Sequence, residues 1–146
     1  MREIEIGADN PPSGYVPLEG RCEGEHYTGP YFICAQGSSV KLGFRVAQRH
    51  LNRMGVCHGG MLATFADIQG TAICHRLGLA NGTPTISLSL DYVAPVKLGD
   101  WVESAPELVK LTGRMIFFRA LVTANGAVAL RVNGIYRRNL TRPVEI

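Results

Sequence analysis

With 146 residues, 46% of them apolar and 18% charged, the chain is long enough to bury a sizeable core and has the balance of an ordinary globular domain. Its formal charge of +3 comes without a Lys/Arg run or a basic stripe interleaved with aromatics, which argues against nucleic acid as a partner while still suiting a phosphate-bearing ligand. Neither end carries an apolar run of signal-peptide or membrane-span length, so no membrane association and a cytoplasmic location are expected.

Residues 1–30 hold four of the eight prolines and several glycines, the composition of an irregular arm with at most a short turn of helix. A single domain is expected over 31–140, followed by a tail at 141–146. Tyr31 to Gln36 reads as a first strand. Val40, Leu42, Phe44 and Val46 then alternate with Lys41, Gly43, Arg45 and Ala47, as a half-buried second strand requires, and Gly37-Ser38-Ser39 supplies the turn. From Gly59 to Leu77 the apolar residues Met61, Leu62, Phe65, Ile68, Ile73, Cys74 and Leu77 cover most of a helical wheel, which predicts one long buried helix. Beyond it Ile86, Leu88, Leu90 and Tyr92 alternate with polar residues, and the segments 101–110, 115–124 and 127–137 complete the strands, with Asn125-Gly126 as a hairpin turn. One buried helix and five or six mainly antiparallel strands make an α+β domain.

The cysteines Cys22, Cys34, Cys57 and Cys74 lack Cys-x-x-Cys spacing and are expected to be reduced thiols. Cys57-His58 and Cys74-His75 invite a metal or Cys–His nucleophile reading, but adjacent residues rarely converge on one ion and no third ligand is evident, so no metal is expected. His26 and His50 carry no assignment.

The strongest functional signal is His58-Gly59-Gly60 at the start of the long helix, with Asp67 inside it. Gly60, Thr64, Asp67, Thr71 and His75 fall close to one line of the wheel, so the few polar groups of an apolar helix share one side. The first N–H groups of the helix, at Gly59 and Gly60, present the positive end of its dipole to an anion or polarised carbonyl. Two readings fit these residues alone: a site wall, or a tight turn with Asp67 as a satisfied interfacial polar residue. Gly59 and Asp67 are eight residues apart, about 12 Å along a helix, too far to flank one reacting atom. Two copies of the helix running antiparallel across a two-fold axis would bring the Gly59 end of one beside Asp67 of the other, with small Gly70 helping close packing.

The segment NRMGVCHGGMLATFAD, with Asn52 six residues before His58 and the acid nine after it, followed by TPTISLSLDYVAPVKLGD with its Tyr-x-x-Pro-x-x-x-Gly-Asp run from Tyr92 to Asp100, closely resembles the hotdog-fold acyl-CoA thioesterases of the phenylacetate-pathway and 4-hydroxybenzoyl-CoA group. The resemblance covers roughly Tyr31 to Arg138. It implies a sheet wrapped around the helix and hydrolysis of an acyl-CoA, with CoA as part of the substrate and no separate cofactor. Asp67 would be general base or nucleophile and the Gly59 N–H would stabilise the developing oxyanion. Asn52 would stand near the thioester, His58 would hold the loop or the helix start, and Thr71 or Thr85 would hold the attacking water. Gly60, Met61, Phe65 and Met54 would line the acyl site. Lys97, Lys110, Thr112, Gly113, Arg114, Arg137 and Arg138 would meet the CoA phosphates. A homo-oligomer follows, a dimer at least, with the resemblance favouring a tetramer. The rival readings are a non-catalytic acyl-CoA binding protein, which could dispense with the carboxylate, and a hotdog dehydratase, whose His-Phe-Pro-Gly-type loop is absent here.

Overall fold

A computed structural model describes residues 9–18, 22–80 and 82–140 of the chain. The expected tail at 141–146, and residues 1–8 and 19–21 of the arm, lie outside the described residues.

The alternating segments form the strands for which their pattern suits them. In β2 (Phe32–Gln36) and β3 (Ser39–Arg45) the turn closes on Gly37 at φ +59°, and Val40, Leu42 and Phe44 are buried, as is Val46 just beyond. Gly43 is required by packing: a Cβ there would stand 2.3 Å from Cζ2 of Trp101 on the neighbouring strand. The 101–110 segment, expected as one strand, is split into β5 (Trp101–Ser104) and β6 (Glu107–Leu111), with Pro106 between them unable to donate to a ladder. The long β7 (Met115–Ala124) spans the break, pairing with β6 through its first half and β5 through its second. Asn125 and Gly126, at φ +48° and +86°, turn it into β8 (Ala127–Arg137) as a type I′ hairpin requires. With β1 (Val16–Pro17) from the arm and β4 (Thr85–Tyr92), the sheet runs β1-β2-β3-β5-β7-β8-β4, every pair antiparallel. The count exceeds six because the arm adds β1 and one expected strand is divided.

The helix packs on the inner sheet face. Phe65, Ala66, Ala72, Ile73 and Cys74 are at most 1% exposed and join Leu42, Phe44, Val102, Ile116, Leu130 and Val132 in one core. Burying a side chain such as Phe65 or Ile73 contributes roughly 1.5–3 kcal/mol, so the helix is held to the sheet mainly by such contacts. The helix is interrupted at Ile68 (φ −80°, ψ 0°), dividing it into α2 (Gly59–Asp67) and α3 (Gln69–Leu77), and it stops at Gly78 in the left-handed region.

The arm contributes a short helix, α1 (Glu23–Thr28), and is gripped through its main chain. Arg45 donates to the Asn10 carbonyl through Nε and Nη2 at 3.1 and 2.9 Å, and Arg49 donates to the Gly29 carbonyl. His50 is fully buried; its Nδ1 accepts the Ala47 N–H at 2.9 Å, so the neutral ring carries its proton on Nε2 and donates it to the Thr28 carbonyl at 2.8 Å. A side-chain contact, Arg49 to the Asp9 carboxylate at 3.1 Å, adds to this grip.

Candidate active site

The loop before α2 is built by Asn52. Its Oδ1 accepts the N–H groups of Met54 (2.9 Å) and Val56 (3.3 Å), and Gly55 turns at φ +77°, leaving Met54 at the tip, 82% exposed. Isolated bridges Leu51–Cys57 and Val56–Lys97, with His58 N–H on the His50 carbonyl at 2.7 Å, clamp the loop base. Of the carboxamide expected near the thioester, the oxygen is therefore engaged in the loop, which leaves the Nδ2 donor as the group Asn52 can offer.

His58 is the N-cap of α2. Its Nδ1 accepts the Gly60 N–H at 2.9 Å, so of the two glycine amides Gly60 is already used. No acceptor within the described residues meets the Gly59 N–H. The Gly59 carbonyl instead accepts the Tyr92 hydroxyl at 2.7 Å, and the Tyr92 ring lies 3.4 Å from where a Cβ of residue 59 would be. Tyr92 thus seats the helix start on the last residue of β4, a contact that the alternating pattern of that strand did not reveal.

Asp67 is the last residue of α2 and is exposed, with its Oδ1 accepting the Thr85 hydroxyl at 2.6 Å. Of the two threonines left open by the sequence, Thr85 donates to the carboxylate, and Thr71, one turn further along α3, is half-buried and also partnered. Gly60, Asp67 and His75 are exposed and Thr64 and Thr71 half-buried, so the polar line of the helix is turned away from the core. The two chemical groups stand at opposite ends of β4: Tyr92 ties one end to Gly59, Thr85 ties the other to Asp67. Among the described residues β4 is also a sheet edge, paired with β8 alone, and Ile86 and Tyr92, with Val93 just beyond, are more than half exposed.

Of the expected acyl-site residues, Met61 is half-buried and Gly60 exposed, whereas Phe65 lies wholly in the core against Phe44 and Tyr31, at ring-centroid distances of 5.1 and 6.0 Å. The basic candidates divide in two. Thr112, Gly113, Arg114, Arg137 and Arg138 come together at the β6–β7 turn: Arg138 N–H meets the Arg114 carbonyl at 2.7 Å, its guanidinium meets the Thr112 carbonyl at 3.0 Å, and Arg137 pairs with Met115. Lys110 sits on β6 opposite Phe117. Lys97 stands instead beside Val56 in the loop before α2. The turn lies near the Asp67 end of β4, since the Arg137 N–H holds the Pro84 carbonyl at 2.9 Å.

Burial pushes the Cys57 thiol up to about 12 and raises that of Cys74, so neither is poised as a thiolate nucleophile at neutral pH. A cavity of about 430 Å³ on the outer sheet face is lined by Glu107, Arg119, Leu121, Arg131 and Asn133 and contains none of these groups. The arrangement along β4 offers two capacities: an unoccupied amide at the positive end of a helix, able to polarise a carbonyl, and a hydroxyl-held carboxylate able to take a proton or attack.

Residues 54–129 match the model of the thioesterase superfamily. A Pseudomonas aeruginosa protein named "putative esterase" is 30% identical over 130 residues, 87% of this chain and 96% of that protein. A mutant of the phenylacetic acid degradation protein PaaI from Thermus thermophilus shares the fold with a TM-score of 0.69 at 23% identity, over 81% of this chain and all of that one. A hypothetical thioesterase from Streptococcus pneumoniae, solved with coenzyme A, does so with a TM-score of 0.68 at 23% identity, over 77% and 91% of the two chains.

Proposed function

The chain belongs to the thioesterase superfamily and is a thioester hydrolase of the hotdog fold, and on that footing we propose that it cleaves acyl-CoA to a carboxylic acid and free CoA at a site shared between two copies. The observation that carries this reading is the placement of the Gly59 amide and the Asp67 carboxylate at opposite ends of one open edge strand. A second copy pairing its β4 antiparallel to this one sets the Thr85 end of each strand against the Tyr92 end of the other. Gly59 of one copy then faces Asp67 of the next, which resolves the roughly 12 Å separation along a single helix.

At such a site the acyl carbonyl oxygen points at the Gly59 N–H, and the Asn52 Nδ2 donor and the His58 cap keep the loop and amide in place. Asp67 then takes a proton from water as the water oxygen attacks the carbonyl carbon; the tetrahedral oxyanion collapses, the C–S bond breaks, and the CoA sulfur leaves and is protonated. In the alternative route the Asp67 carboxylate itself attacks, expels CoA and forms a mixed anhydride that water cleaves. In either route Thr85 fixes the carboxylate, and Thr71 flanks the water. The cluster of Thr112, Arg114, Arg137 and Arg138, with Lys110 and Gly113 beside it, takes the CoA phosphates, and Lys97 meets them from the second copy. Met54, Gly60 and Met61 bound the acyl group, while Phe65, wholly in the core, supports the helix that carries Gly60 and Met61. The CoA bound to the pneumococcal thioesterase supports the substrate class.

The exposed Val109 and Leu121 on the outer sheet face support pairing of dimers into a tetramer, and four free cysteines suit a reducing, cytoplasmic compartment. The test is thiol release from a panel of acyl-CoAs by wild type and Asp67→Asn. We expect the variant to lose most turnover while still binding substrate; activity within about threefold of wild type refutes the role of Asp67. Binding without turnover by the wild type refutes the hydrolase reading, and hydration or dehydration without thiol release identifies a dehydratase.

A further inference from the structure

The interruption of the helix beside Asp67 receives the hydroxyl of Tyr136. Tyr136 on β8 is 1% exposed, and its hydroxyl donates to the Asp67 carbonyl at 2.5 Å while accepting the Gly70 N–H at 3.2 Å. In an unbroken helix the Thr71 N–H would meet the Asp67 carbonyl; here it turns to the Ile68 carbonyl at 3.0 Å. One phenol thus meets a partly buried acceptor and a buried donor at the gap, and α2 ends on Asp67.

The room for that phenol is built by three other residues. A Cβ on Gly70 would stand 2.9 Å from Cε2 of the Tyr136 ring, so only glycine lets the ring reach the gap. On its other face the ring stacks on Phe118, 4.9 Å between centroids and 4° from parallel. Phe118 in turn occupies the space over Gly134, where a Cβ would lie 2.1 Å from its Cε1. Inward positions of β7 and β8 are thereby spent on one posture of one tyrosine.

That tyrosine is also joined to the other partner of the carboxylate. Tyr136 is the strand neighbour of Thr85, and a bulge between Thr85 and Ser87 sets Thr85 off from the regular register of β4. Backbone pairing therefore fixes Thr85 against Tyr136, the Thr85 hydroxyl meets Asp67 Oδ1, and the Tyr136 hydroxyl holds the Asp67 carbonyl. The three residues close a circuit around the carboxylate.

We infer that Tyr136 is the positioning residue of the active carboxylate: by seating its hydroxyl in the helix gap it ends α2 at Asp67 and holds the Asp67 side chain on Thr85, without touching substrate. This rests on the assignment of Asp67 as base or nucleophile. A displacement of about 1 Å at a reacting group can cost on the order of a hundredfold in rate, so loss of a hydroxyl that supports its backbone has a kinetic signature separate from loss of fold.

The experiment compares Tyr136→Phe, Asp67→Asn and the double variant, by steady-state thiol release from an acyl-CoA turned over by wild type and by exchange of the Gly70 amide. The expected results for Tyr136→Phe are a fall in kcat of about ten- to thirtyfold with KM within about twofold, and faster exchange at Gly70. In the double variant the residual rate should equal that of Asp67→Asn alone, because a residue acting only through the carboxylate has nothing left to position. Gly70→Ala, which keeps the hydroxyl but displaces the ring, should reproduce the kcat loss and carries the test should Tyr136→Phe fail to fold. Wild-type kcat in Tyr136→Phe beside an inactive Asp67→Asn overturns the inference and leaves the Asp67 assignment standing. A further drop from Asp67→Asn to the double variant, by the same factor as the single change, overturns it in favour of a general structural role. An active Asp67→Asn overturns both assignments together.

Discussion

Replacing Thr85 by valine isolates one interaction of the site. The substitution keeps the β-branched shape that suits an exposed strand position and removes only the hydroxyl that donates to Asp67 Oδ1 at 2.6 Å. A hydrogen bond to a charged group contributes about 1.5–3 kcal/mol when shielded; because both partners are exposed in the single chain, about 1–2 kcal/mol is the appropriate range here. At about 1.4 kcal/mol per factor of ten, that corresponds to a fall in kcat of roughly five- to thirtyfold. The bond is intramolecular and exists before substrate arrives, so KM should move little, while the thermal midpoint should fall by roughly 2–8 °C. Thiol release followed with a chromogenic reagent gives both constants, and Thr85→Ser, which restores the hydroxyl, should recover most of the loss. If Thr85→Val turns over within twofold of wild type, the hydroxyl is not what holds the carboxylate in its working position. The same measurement on Thr71→Val then decides whether Thr71 carries that role.

Three other expectations rest on separate parts of the molecule. An inactive Asp67→Asn chain mixed in equal amount with an inactive Asn52→Ala chain should regain about one quarter of wild-type activity after subunit exchange, since half the dimers are hybrids and each hybrid has one intact site of two; no recovery after verified exchange means the site is not shared. Removing Arg114, or Arg137 and Arg138 together, should raise KM for CoA esters far more than it lowers kcat, with added salt mimicking the loss and a truncated thioester lacking the nucleotide scarcely affected; equal loss on the truncated ester refutes the phosphate role. Burial, with the neighbouring Arg49 charge second, lowers the His50 pKa in the folded chain, so the unfolded chain binds more protons below the ordinary value of 6.5. Stability should therefore fall as pH drops through about 6.5 and level off below the folded-state pKa, and His50→Gln should flatten that part of a melting-temperature profile; an unchanged slope removes His50 as its source.

Most of the frame could be read from periodicity. The alternation of Val40, Leu42 and Phe44, the apolar sweep from Met61 to Leu77 and the Asn125-Gly126 turn each state a local preference that the tertiary structure shares. The helix gap was not legible, because nothing between Asp67 and Gly70 breaks a helix by itself; a tyrosine from β8, 66 residues beyond Gly70, does so from outside. Thr71 and Thr85 were equivalent candidates for a similar reason: which hydroxyl reaches Asp67 depends on how the chain reverses between Gly78 and Thr85 and on the bulge that follows, not on spacing along the helix. For Asn52, the use of its oxygen by the Met54 and Val56 amides is a turn property that a motif does not express. Pro106 marks where the 101–110 segment divides, because it cannot donate to a ladder, a loss that side-chain alternation does not register.

The grip on the arm bears on how such chains diverge. Arg45, Arg49 and His50 take hold of carbonyl oxygens at Asn10, Gly29 and Thr28, atoms that almost any residue would present in the same place. That part of the recognition is nearly blind to side-chain identity, whereas Asp9 on Arg49 and Tyr15 on Glu103 and Trp101 are held through their side chains. In relatives that retain these three donors, described arm positions other than Asp9, Tyr15 and Gly29 can exchange side chains and still dock, so the arm can accumulate new surface chemistry while the domain beneath it keeps its shape. Variation in the arm then becomes a route by which relatives acquire different outer faces without re-solving the problem of folding.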